Sequence, residues 1–209
     1  MLVYTAFFSS GPVLDAPATQ DTATIAKMCT EITEPIDVVI HNAGYFPDIH
    51  ETMTDAANPL DFSEQMKQID ICAMAPLRVT YELNKAGLIK KGGDGRVIII
   101  SSQAGSAEWR KTQNKGEGGD YGHHMSRAAC NIAGVLMSEE LSGDQIPVVM
   151  LHPGFNRTDM TKKYEHIWDV EGAVPSEQGA MRVLHETAKV TMASTGKFVN
   201  CEDGLQIPF

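Results

Sequence analysis

A chain of 209 residues, 43% hydrophobic and 21% charged, can bury one α/β core and has an ordinary globular composition. A net charge of −10 argues against binding to a phosphate backbone, so nucleic acid is not an expected partner. No run approaches the roughly 20 apolar residues that span a bilayer. No basic leader is present, and Cys29, Cys72, Cys130 and Cys201 are scattered without metal-ligand spacing; one soluble, cytoplasmic domain over 1–209 with reduced thiols and no metal is expected.

Along the chain, apolar runs alternate with stretches of helical period. "TATIAKMCTEI" (22–32) predicts a helix, and "IDVVI" (36–40) predicts a buried strand closed by the turn "HNAG". A long helical stretch covers 61–91. "RVIIISS" (96–102) is a second strand, followed by the polar, glycine-bearing loop "KTQNKGEGGD" (111–120). A helix over roughly 123–141, a strand "PVVMLHPG" (147–154), a helix over 175–190 capped by Ser176, and a short strand "KFVN" (197–200) complete the series. The short basic runs Lys90–Lys91 and Lys162–Lys163 read as solvated loop charges. The alternation predicts an α/β fold, a doubly wound parallel sheet of Rossmann-like kind. In such sheets ligands bind beyond the carboxyl ends of the strands.

Five stretches occur in a telling order: "DVVIHNAG", "GRVIIISSQAGS", "GGDYGHHMSRAACNIAG", "LHPGFNRTDM" and "TGKFVNCEDGLQIPF". Together they resemble the short-chain dehydrogenase/reductases, most of all the C-signalling-factor and sniffer-like carbonyl reductases. The resemblance implies hydride transfer between NAD(P) and a carbonyl or alcohol, run by an Asn-Ser-Tyr-Lys set. It places Ser102 at the family serine, although a strand-end serine can equally cap its own loop. Asn42, Ala43 and Gly44 fall on the turn that closes the adenine-ribose side. Pro153, Gly154 and Thr158 fall on the loop that grips the nicotinamide carboxamide, with Thr158 also a candidate helix cap.

The same comparison exposes departures. His123 takes the place of the catalytic tyrosine, Arg127 that of the lysine and Cys72 that of the asparagine, while Tyr121 matches the neighbouring, non-catalytic aromatic. The family's glycine-rich first turn has no counterpart, so the fold is expected to be N-terminally shortened. Asp15 then matches the acid near the adenine, and "MLVYTAFF" is either the preceding strand or a substitute for the lost first one. A phenol of pKa about 10 needs a cation to become a working acid; an imidazole near 6.5 is pushed lower by a guanidinium.

Three readings follow. A family member with a degraded catalytic set, serving as a binding or structural protein, accounts for the departures together. An active NAD(P)-dependent oxidoreductase would use an atypical Ser102/His123/Arg127 site. A cofactor-free lyase- or dehalogenase-type enzyme has a precedent in the halohydrin dehalogenases, which keep a tyrosine absent here. The resemblance also implies a homodimer through helices 61–91 and 121–141, or another chain covering the shortened sheet. "FNRTDMTKKYEHIWDVEGAVP" matches the segment that closes over substrate; its Tyr164, Ile167 and Trp168 either line an apolar pocket or cover the core.

Overall fold

The computed structural model describes residues 21–48, 50–113 and 118–209, and the backbone of 4–7 and 14–15. The chain opens with β1 (Tyr4–Phe7), β2 (Leu14–Asp15) and α1 (Thr22–Glu31), then β3 (Val38–His41) and α2 (Phe62–Ile69). A π-helical turn (Asp70–Met74) leads into α3 (Ala75–Lys85), followed by β4 (Arg96–Ile100), α4 (Ala107–Thr112) and α5 (Tyr121–Glu140). After β5 (Val148–His152) come β6 (Asn156–Arg157), a 3-10 segment (Asp159–Ile167), β7 (Val174–Pro175), α6 (Ser176–Lys189) and β8 (Phe198–Asn200).

The four strands read from apolar runs form the parallel core, in the order β3-β4-β5-β8. Their alternate residues face opposite ways. Val39, Val97, Ile99, Val148 and Met150 pack on one face with Ile25 and Met28 of α1, Val79 and Leu83 of α3, and Cys130 and Met137 of α5. Ile40, Ile98, Val149 and Leu151 pack on the other with Val183 of α6 and Val190 just beyond it. Both faces are apolar because both are covered.

The front of the sheet departs from the parallel expectation. β1 runs antiparallel to β3, and β2 antiparallel to β1 at the edge. Only residues 8–13 join β1 to β2, which is too short for the dozen-residue crossover that a parallel pair requires. "MLVYTAFF" therefore supplies a strand beside β3, running opposite to the parallel core. Asp15 ends β2, and its side chain lies outside the described residues, as does residue 11, the glycine of "SSGP".

The long helix expected over 61–91 is divided. Asp61 caps α2 by accepting from the N–H groups of Ser63 (2.9 Å) and Glu64 (3.1 Å). Pro76 has no N–H and its ring crowds the carbonyl four residues back, at Cys72. The chain answers with one wider turn, in which the Ala75 N–H reaches the carbonyl of Asp70. The helix stops at Lys85, and Gly87, at φ +69°, turns the chain away.

Elsewhere the boundaries move slightly. Residues 111 and 112 belong to α4 rather than to the expected loop, whose residues 114–117 lie outside the described ones. Ser176 does not cap α6: Pro175 occupies the cap position and Ser176 is already helical, without a side-chain cap. All four cysteines are buried and unpaired, and burial pushes Cys130 up to about 11 and Cys201 up to about 12. No helix among the described residues is long and apolar enough to cross a membrane.

Gly134, in the middle of α5, gives a direct test of the packing. A methyl there would run into the sulfur of the fully buried Met150. Helix propensity favours Gly134→Ala by about 1 kcal/mol, whereas overpacking costs about 1–3 kcal/mol. Urea unfolding should show net destabilisation; a more stable variant would mean that the α5–β5 contact is loose.

Candidate active site

The carboxyl ends of β3, β4 and β5 lie side by side, and each continues into one of the singled-out loops: Asn42–Gly44, Ser101–Ser102 and Pro153–Gly154. α5 is tied to the middle loop, where the Ser101 hydroxyl donates to Asn131 Oδ1 (2.6 Å) and Asn131 Nδ2 donates to the Gly105 carbonyl (3.4 Å). Its N-terminus is tied to α2 by the buried Glu51. One carboxylate oxygen of Glu51 accepts from the Gly122 N–H (2.9 Å), the other from Gln65 Nε2 (3.0 Å) and the Asp61 N–H (3.2 Å).

His123 and Arg127 are one helical turn apart and share a face of α5. Arg127 is 5% exposed. Its Nη1 donates to the Ile100 carbonyl at the end of β4 (2.9 Å), and its Nη2 lies against Gly44, where a Cβ would come within 2.8 Å. Gly44 is therefore needed for the guanidinium, whatever else its turn does. His123 stacks on Phe46, with ring centroids 4.1 Å apart and planes at 19°. On Phe46 in turn sits Lys163, its Nζ 3.3 Å from the ring centroid, donating to the Pro47 carbonyl (2.9 Å).

A second junction holds this column in place. Asp120, immediately before α5, adopts left-handed backbone (φ 46°) and is buried. Its Oδ2 accepts from the Tyr164 hydroxyl (2.9 Å) and pairs with His50 Nδ1 (3.0 Å); Lys163 Nζ lies 3.9 Å from Oδ1. The loop after β3, the start of α5 and the segment after β6 thus converge on one carboxylate. Lys163 is not a solvated loop charge, because its side chain is only 10% exposed. Tyr164 faces the site through Asp120, and Trp168 has Arg157 over its ring at 6.0 Å.

The electrostatics of the cluster follow from burial beside cations. Burial, then the Arg127 charge, holds His123 well below the ordinary imidazole value. Burial and Arg127 likewise push His152, at the end of β5, down to about 4. Burial alone takes His41 to about 3, with its Nε2 hydrogen-bonded to Thr80 Oγ1 (2.8 Å). Burial lowers Lys163 against the opposing pull of Asp120. His123 and His152 are neutral imidazoles at physiological pH. Such a ring can accept a proton, but it is not an acid of useful strength.

The remaining expected residues are placed as follows. Ser102 is half-buried and its Oγ accepts from the Ala104 N–H (3.2 Å), which is the loop-capping arrangement. Cys72 is buried in the π-turn, where its sulfur accepts from the Tyr45 N–H (3.5 Å) and its thiol faces the Tyr45 carbonyl (3.7 Å). It props the turn that follows Asn42–Gly44, with Ala43 packed beside it. Asn42 is exposed, and Tyr121 is the first, half-buried residue of α5. Pro153 and Gly154 both give their carbonyls to Asn156 Nδ2 (3.2 and 3.0 Å). Behind Gly154, at φ +82°, stands the Glu202 side chain. Thr158 caps the 3-10 segment in a reciprocal pair with Thr161.

Phe46, Glu51, Asp120 and His152 were not singled out from the sequence, and Lys163 was read there only as a solvated charge. Only His152 left a trace, as the polar residue that breaks the run "VVML". Among the described residues no group of three or more His, Cys, Asp or Glu is placed to hold a metal ion.

Comparison with known proteins supplies the family context. The model for the short chain dehydrogenase family matches residues 11–167. The C-signal protein of Myxococcus xanthus is 34% identical over 177 residues, 85% of this chain and 95% of its own length. The 1-hydroxy-2-glutathionyl-2-methyl-3-butene dehydrogenase of Rhodococcus sp. (strain AD45) is 28% identical over 90% of this chain and 75% of its own. Among solved structures, the carbonyl reductase Sniffer of D. melanogaster superposes with a TM-score of 0.74 at 22% identity, over 91% of this chain and 75% of that one.

The buried imidazoles make stability depend on pH. Their folded values lie below the unfolded value near 6.5, so the stability they contribute is full above it and is lost as pH falls. His152 alone should forfeit roughly 3 kcal/mol between about pH 7 and about pH 4. Urea titrations across that range should show the loss, and His152→Asn should flatten it. A wild-type profile that is level to pH 4 would mean these rings are solvated.

Proposed function

The chain belongs to the short-chain dehydrogenase family, and from that membership we propose that it has kept the fold and given up the family's hydride chemistry, serving as a binding or structural protein. One observation carries this reading: His123, a neutral, half-buried imidazole that the family resemblance puts at the tyrosine position, lies one helical turn from a buried guanidinium bound to the Ile100 carbonyl. Carbonyl reduction needs a group that delivers a proton to the developing alkoxide. A lysine ammonium makes a phenol a better acid, whereas the same charge beside an imidazole drives its proton off.

The residues also fit a nicotinamide dinucleotide poorly. One nitrogen of the Arg127 fork, Nη1, is taken by the chain's own Ile100 carbonyl, and Nη2 lies beside Gly44. The Pro153 and Gly154 carbonyls are taken by Asn156, and the Glu202 carboxylate adds negative charge behind Gly154. Cys72, in the asparagine position, is bonded to Tyr45 and is not placed to hold a relay water.

A second reading is an active NAD(P)-dependent oxidoreductase with an atypical Ser102/His123/Arg127 site: the neutral His123 ring would take the proton of an alcohol oriented by Ser102 while the nucleotide takes the hydride, and the lowered proton affinity of that ring makes it a weak base for the step. The 28% identity to a protein named as a dehydrogenase is in keeping with that alternative.

The same proposal puts a second copy of the chain on the face made by α2, α3 and α5. Phe62, Met66, Tyr81, Ile132 and Leu136 are all at least half exposed there, spaced at helical intervals. The family resemblance supports a homodimer partner as the occupant.

Two measurements test these statements. Calorimetric titration with NADPH and NADH should give no binding heat. Micromolar binding that Arg127→Glu abolishes would restore the oxidoreductase reading. In sedimentation velocity the wild type should run as a dimer and the Ile132→Asp, Leu136→Asp double variant as a folded monomer. A wild-type monomer would remove the dimer from the proposal.

A further inference from the structure

Arg127 is an unusual cation even within this site. Lys163, also deeply buried, has the Asp120 carboxylate 3.9 Å away, and the half-buried Arg78 has Asp70. Arg96 donates to the carbonyls of Thr187 (3.4 Å) and Val190 (3.3 Å). Arg127 has a single backbone carbonyl, and among the described residues no carboxylate pairs with it. Its Nε is buried without a hydrogen-bond partner. The edge of the guanidinium formed by Nε and Nη2 is the one that takes a carboxylate through two parallel hydrogen bonds.

Two further buried nitrogens accompany it. His123 Nδ1 and His152 Nδ1 are buried without a partner, the first on a half-buried ring and the second on a side chain that is 7% exposed, and both rings feel the Arg127 charge. A buried positive charge with one hydrogen bond is costly to maintain, and unpaired buried polar atoms add to the cost. Natural proteins keep such groups where something completes them.

We infer that Arg127, with His123 and His152, forms a binding site for a small carboxylate, the anion bridging the Nε–Nη2 edge and the two imidazoles. The inference rests on the reading above that this site binds a ligand instead of transferring hydride. Both rings can turn a ring N–H towards the anion as neutral tautomers, and the anion's charge also makes their protonation easier. The shape of the fork selects a planar carboxylate over a spherical halide. The neighbour that yields on binding is Met160, whose Cε lies close by, 3.5 Å from where a Gly44 Cβ would be, on a flexible unbranched side chain.

The test uses the whole chain and simple probes: sodium formate and sodium acetate, sodium chloride at the same ionic strength, and the uncharged isostere acetamide. Formate and acetate should raise Tm in a saturable way, and chloride and acetamide should not. In NMR titrations, acetate should also raise the midpoints of His123 and His152. Arg127→Met keeps the aliphatic stem, removes the unpaired charge, and should melt higher than wild type without acetate while losing the acetate response. If that variant does not fold, the comparison of acetate with acetamide and chloride on the wild type still decides.

Equal responses to acetate and chloride would mean unselective ion binding. Equal responses to acetate and acetamide would mean that charge plays no part, and no response to any probe would mean that water suffices for these atoms; each result overturns the inference. The nucleotide titration is read separately. NADPH binding together with a selective acetate response would keep the carboxylate site and remove the non-dehydrogenase reading, whereas silence to both probes would do the reverse.

Discussion

Arg127 reaches from α5 to the carbonyl of Ile100 at the end of β4 and lies across the backbone of Gly44 in the turn after β3. A guanidinium is rigid and always charged, so a short reach between three elements fixes their separation more firmly than packing alone would. A side chain at Gly44 would displace Nη2, which lies 2.8 Å from where its Cβ would be. Gly105 has to be glycine because a Cβ there would come within 2.7 Å of the Arg127 carbonyl carbon. The imidazole one turn earlier is oriented against Phe46, and burial together with this charge gives it its low proton affinity. Much of what distinguishes the site from that of its family follows from where one cation was put.

The surroundings answer that charge in an uneven way. Phe46 places an aromatic face between the neutral His123 ring and the Lys163 ammonium, which that face attracts. Asp120 offsets Lys163 and gathers His50 and Tyr164, yet it is not bonded to Arg127. The negative charge of the junction is thus directed at the covering segment, and the core of the site remains positive in a chain whose net charge is −10. This asymmetry is local and owes nothing to overall composition.

How much of this was legible in the sequence depends on the range of the interactions involved. The core strands were readable because runs such as "RVIII" and "VVMLH" are buried on both faces and leave an unbroken apolar signal. The division of 61–91 was not read, although Pro76 was its visible cause. The antiparallel front was also missed, and the short 8–13 connection was the clue. Within the site, His123 and Arg127 were found through motif spacing, because they share a helix. Phe46, Lys163 and Asp120 have no common period or motif; their association is a product of tertiary folding. Lys163 was misread for the same reason, since a Lys-Lys pair carries no local sign that one of its ammonium groups will be buried.

The bond from Lys163 to the Pro47 carbonyl joins positions 116 residues apart, and Tyr164 meets Asp120 across 44. Contacts of such long sequence separation form only after a large loop-closure entropy has been met, as do the strand pairings of the sheet. The column over His123 is therefore coupled to the integrity of the whole sheet. A ligand held beneath the covering segment would in turn be felt as added stability of the whole chain.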